Sequence, residues 1–174
     1  MTAATEGIDA GELRRYKAMV EEDPGLGERS PAVVARWAGG DASTIECGGT
    51  TISLGGEDHP TPMQAVLAAL AACDVDVVAT HAALLGLHLE GIAVEATGHF
   101  DIRSYLGVEG APRPGFDAIS YVVHVAAPGA TPGQIRHLRQ RCEQSSPVGD
   151  SLARTIPLHL RFETSKTPEG EPAR

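Results

Sequence analysis

The feature that most limits how this 174-residue chain can fold is the stretch Thr61–Gly86, TPMQAVLAALAACDVDVVATHAALLG. Thr61, Pro62 and Gln64 have the spacing of N-cap, N1 and N3 in a helix with a capping box, and Gly86 suits a left-handed stop. No charged residue falls between Met63 and Cys73, and alanines fill most positions that larger aliphatics leave. A helix apolar on nearly all faces belongs in a core, touched from several sides. At ~1.5 Å per residue it spans roughly 37 Å, about the width of a small domain. The chain is therefore predicted to be built on a long buried central helix carrying one thiol, Cys73.

The rest of the chain supplies partners for that helix. Residues 1–8 read as disordered. Asp9 with Glu12 starts a short amphipathic helix that ends near Glu22, with Leu13, Tyr16 and Val20 on one side, and a Pro/Gly linker follows over 23–31. From Ala32 the hydrophobic period changes. Ala32–Trp37, Ser43–Cys47 and Thr50–Leu54 are short β-branched runs separated by glycine turns, which reads as an antiparallel meander. Beyond the central helix, alternation from Ile92 to Phe100 predicts a strand, Asp101–Pro114 a polar excursion, and Phe116–Ala126 another strand. Thr131, Pro132 and Gln134 repeat the capping signal for a helix through about Cys142–Gln144. Ser146-Pro147 opens a short one through Leu152, and Ile156–Glu163 alternates as a final strand. This order predicts an α+β domain over residues 32–163, with a mainly antiparallel sheet and its helices on one face. Residues 1–31 form an N-terminal extension and 164–174 a charged tail.

Charge and cysteine usage narrow the function classes. The net charge of −9, with no Lys or Arg between Trp37 and Ile102, excludes the clustered basic surface that nucleic-acid binding requires. The N-terminus lacks a signal-peptide apolar core, and Asp74 and Asp76 interrupt the best candidate membrane span. Three cysteines, Cys47, Cys73 and Cys142, form no disulfide framework, so free thiols in a reducing cytoplasm are expected. The seven histidines lack metal-ligand spacing, and no phosphate loop, dinucleotide fingerprint or G-x-S-x-G elbow occurs. No metal and no bound cofactor are expected.

Two motifs carry a resemblance. PTPMQAVLAALAAC (Pro60–Cys73) is similar to the P-x-x-x-[EQ]-L-L-x-A-A-x-x-A-C helix of the OsmC/organic hydroperoxide resistance family, with Ala65-Val66 in place of the two leucines. SSPVGDSL (Ser145–Leu152) resembles that family's C-P-V-x-x-x-L turn, and the excursion Asp101–Phe116 resembles a branch with an extended loop. The match runs from about Ala32 to Glu163. It implies an intertwined homodimer with its sites at the subunit interface and a peroxidatic cysteine on the buried helix. A second cysteine at the C-P-V turn, an arginine and a glutamate complete the site, and an external dithiol reduces it.

Carried over by position, the resemblance makes Cys73 the peroxidatic candidate and places Ser146 where the resolving cysteine would be. Serine cannot form a disulfide; its hydroxyl is a preferred N-cap for the helix starting at Pro147. Cys142, four residues earlier, is the candidate alternative resolving thiol. Met63 and Gln64 cover the position of the family's glutamate and are candidate pocket residues, Gln64 already serving the capping box. Arg36, Arg103 and Arg113 are the candidate cations, with Arg103 placed best as a thiolate partner because the excursion should hang near the pocket. Two functions follow. One is a hydroperoxide reductase with an altered or single-cysteine cycle and an incomplete catalytic set. The other is a protein without that activity, binding a small apolar or thiol-reactive ligand in the dimer-interface pocket.

Overall fold

The computed structural model describes residues 7–163, so the tail at 164–174 and most of the leading segment lie outside the described residues. Helix starts fall where the caps are strongest. α1 (Ala10–Glu22) begins at Asp9, whose carboxylate accepts from the N–H groups of Gly11 and Glu12. It ends at Asp23, before a 3-10 turn over Pro24–Gly27. Leu13 and Val20 are partly buried on the chosen side, whereas Tyr16 stays exposed and donates its hydroxyl to the Leu26 carbonyl at 2.8 Å.

β1 (Val33–Gly39), β2 (Ala42–Cys47) and β3 (Thr50–Leu54) form the predicted antiparallel meander, paired from Val33–Cys47 onward and from Ser43–Leu54 onward. β4 (Gly91–His99) and β5 (Ala118–Ala126) pair antiparallel from Gly91–Ala126 to His99–Ala118. These are two sheets rather than the one expected. The long central helix lies on β4, the other helices pack against it, and the meander makes its main contacts within itself.

α2 (Pro62–Leu84) has the capping box read from the sequence: Gln64 N–H donates to Thr61 Oγ1 and the Gln64 carbonyl accepts from the Thr61 N–H. At its other end Gly86, with φ of +66°, takes the left-handed stop. Leu87 N–H closes back onto the Ala82 carbonyl at 2.9 Å. By length and composition alone this helix is long and apolar enough to cross a membrane. Here it packs on β4, α3 (Pro132–Ser145) and α4 (Pro147–Ala153). Val77, Val78 and Ala82 meet Leu89, Leu138 and Cys142 in the core, with Ile92, Val123 and Val125 against them. Burial is one-sided. Leu70, Asp74, Val77, Val78, Ala82 and Ala83 are buried, but Ala68, Ala69, Ala72 and Asp76 are exposed, so the helix is not enclosed by its own chain.

The final strand expected over Ile156–Glu163 is not formed. The segment has no ladder, and Leu158, Leu160 and Phe162 are 93%, 86% and 84% exposed. Alternation makes a segment fit for a sheet; only a free edge beside it makes it a strand, and none in this chain reaches it.

Candidate functional site: thiols between three helices and a strand

Successive residues on a helix point about 100° apart, so neighbours on α2 serve different partners. Cys73, partly buried, faces the start of α4. Ser146 there is buried, and its Oγ donates to Cys73 Sγ at 3.5 Å while accepting the Gly149 N–H at 3.2 Å. The N-cap reading of Ser146 holds, and the same hydroxyl touches the thiol. Gly149 permits this closeness, since a Cβ on it would stand 3.0 Å from Ser146 Oγ.

Asp74 points the other way, into the interior shared with α3 and β5. It is fully buried, and neither carboxylate oxygen has a hydrogen-bond partner among the described residues. Sequence reasoning treated it only as an interruption of an apolar run. The signal was available: Asp74 shares a face with Leu70, Val77 and Val78, whereas Asp76 falls on the open one. Cys142 is buried nearby, and its thiol is pushed up to about 11, mainly by burial and next by the Asp74 carboxylate. Tyr121 on β5 is shifted upward by burial and then by Asp74.

A groove of about 710 Å³ opens beside this cluster, with Met63, Val66, Leu70, Phe116, Tyr121 and Cys142 among its walls; Cys73, Ser146 and Asp74 do not line it. Phe116, at the end of the excursion, is fixed by a close approach to Gly98 and by edge-on packing against Phe100 at 5.6 Å. A Cβ on Gly98 would fall 2.4 Å from the Phe116 ring. Met63 lines the groove. Gln64 is exposed and engaged in the capping box.

The candidate arginines are placed elsewhere in the single chain. Arg103 is bound along its guanidinium edge by Asp101, whose carboxyl that guanidinium holds down at about 2. Arg36 pairs with Glu46 across β1 and β2 at 2.6 Å, and Arg113 is exposed. His81 packs edge-on against His137 at 5.9 Å. Burial, then Arg141 and His137, make it harder to protonate. Among the described residues no three His, Cys, Asp or Glu side chains are grouped to hold a metal.

A family model described as OsmC-like protein matches residues 55–161. An OsmC-like protein from Mycoplasma pneumoniae superposes with a TM-score of 0.61 at 16% identity, covering 72% of this chain and 89% of its own. An OsmC-like protein of unknown function from Vibrio cholerae gives 0.57 at 16% identity, covering 71% and 94%. An organic hydroperoxide resistance protein from Legionella pneumophila gives 0.49 at 18% identity, covering 71% and 89%. No curated protein sequence matches the chain.

Proposed function

The chain belongs to the OsmC-like family, and from that premise we propose that it is a thiol-dependent hydroperoxide reductase in which Cys73 attacks. The observation that carries this is the hydrogen bond from buried Ser146 to a partly accessible Cys73, at the meeting of the two family motifs. The Cys73 thiolate attacks the distal oxygen of an organic hydroperoxide. The O–O bond breaks, sulfur loses two electrons and becomes a sulfenic acid, and the departing alkoxide takes a proton to leave as an alcohol. A thiol of an external dithiol condenses with the sulfenic acid and releases water; its second thiol then displaces Cys73. The groove beside Met63, Val66, Leu70 and Phe116 suits the apolar part of the substrate.

The working unit is a homodimer of this cytoplasmic protein. A folded monomer of 18.1 kDa should expose about 8,100 Å², and this chain exposes 13769 Å². Even if the seventeen residues outside the described range counted as unfolded chain, they would account for only about 2,600 Å². The open alanine face of α2 and the unpaired Ile156–Phe162 segment are part of that exposed surface. A cation for Cys73 would then come from Arg103, released from Asp101, or from the other copy.

The experiment is hydroperoxide consumption with a dithiol reductant, comparing the full chain with Cys73→Ala. Activity lost in the variant is the expected result; equal, background-level rates would sink the reading. A second reading is favoured by one observation: of the three candidate arginines, Arg36 and Arg103 are held by carboxylates rather than by Cys73. On that reading the groove binds a small apolar or thiol-reactive ligand without turnover. Equal background rates together with saturable binding of an apolar fluorophore, weakened by Met63→Asp, would select it.

A further inference from the structure

We propose that Ser146 is a positioning residue for Cys73: its hydroxyl gives the sulfur a hydrogen bond and leaves the oxidised sulfur to be discharged only by an external thiol. This rests on Cys73 as the attacking group. A serine hydroxyl has one proton and two lone pairs. Here Gly149 N–H occupies one lone pair, which fixes the rotamer, and the proton points at Cys73 Sγ. Only 3% of Ser146 is exposed, so water does not compete for it. Accepting from Gly149 also polarises the O–H, which strengthens the hydrogen bond it gives to the sulfur.

The same geometry decides what happens after oxidation. An Oγ at 3.5 Å from Cys73 Sγ occupies the place from which a second thiol would condense with the sulfenic acid, since linked Cβ atoms need only approach to about 4 Å. A hydroxyl is not oxidised as a thiol is, so it forms no disulfide and leaves the sulfur at the sulfenic level. Its proton remains on oxygen and can be shared with the sulfenic oxygen instead. Cys142, the other thiol nearby, is held in its protonated form by burial and Asp74. Electrons must therefore arrive from outside, and a monothiol suffices to begin the discharge.

The test follows Cys73 by peptide mass in the full-length protein. With hydroperoxide, the wild type should gain one oxygen on Cys73, stay trappable by dimedone, and lose that oxygen when a monothiol is added. Ser146→Cys should instead lose two hydrogens, become dimedone-silent and link Cys73 to the introduced thiol. Ser146→Gly keeps a serviceable N-cap but removes the donor. It should slow alkylation of Cys73 by iodoacetamide about ten-fold near pH 7. Ser146→Thr should restore the rate. An unchanged alkylation profile in Ser146→Gly overturns the hydrogen-bond role. A wild-type Cys73–Cys142 disulfide, or no link in Ser146→Cys, overturns the external discharge. Alkylation needs no peroxide, so failure of the wild type to take up oxygen would defeat the reductase reading while leaving the Ser146 hydrogen bond judged on its own.

Discussion

Cys142 ties the pH dependence of this protein to its interior. Its thiol ionises near 9.0 when unperturbed and near 11 in the fold, because burial and the Asp74 carboxylate oppose the thiolate. Above the unfolded value the native chain holds a proton that the unfolded chain releases, so stability is full below about pH 9 and falls as pH rises through 11. Thermal melts from pH 7 to 11 should show this decline, and Cys142→Ala should flatten it. Asp74 carries a cost of its own. Because both its oxygens lack donors, Asp74→Ala should raise stability by about 1–3 kcal/mol in urea titrations, and should bring the Cys142 thiol down toward its ordinary range. Gly98→Ala runs the other way. The added carbon would collide with Phe116 and should cost about 1–3 kcal/mol, with the groove wall displaced. The sequence contained the face arithmetic that buries Asp74. It did not contain the missing donors, which depend on what α3 and β5 bring to that face.

Among the elements, those with local signals were legible. Three helices start at Thr61, Thr131 and Ser146 because a side chain and a backbone N–H three residues away settle the matter between themselves. The glycine-rich turns fixed the meander for the same reason: Gly39, Gly40, Gly48 and Gly49 all take positive φ. Pairing is different, because a strand needs an edge that its own residues cannot specify. Ile156–Glu163 alternates correctly and stays unpaired in one chain. Leu158→Asp with Leu160→Asp should therefore leave the melting of the isolated chain little changed while weakening self-association at least ten-fold by sedimentation. Equal association would show that this segment is not part of the contact.

For the whole molecule, the expectation is a particle of about twice 18.1 kDa in sedimentation equilibrium at micromolar concentration, with a melting temperature that climbs as the protein is concentrated. The family model begins at residue 55, just after the meander. In this chain β1–β3 makes its main contacts within itself, and the loop from Gly55 to Pro60 joins it to α2. In the proposed dimer a second copy would help to hold this ribbon, and dilution would remove that support. Dilution should expose the 55–60 loop to limited proteolysis first, so that a cell producing little of this protein loses it to turnover before it loses it to unfolding.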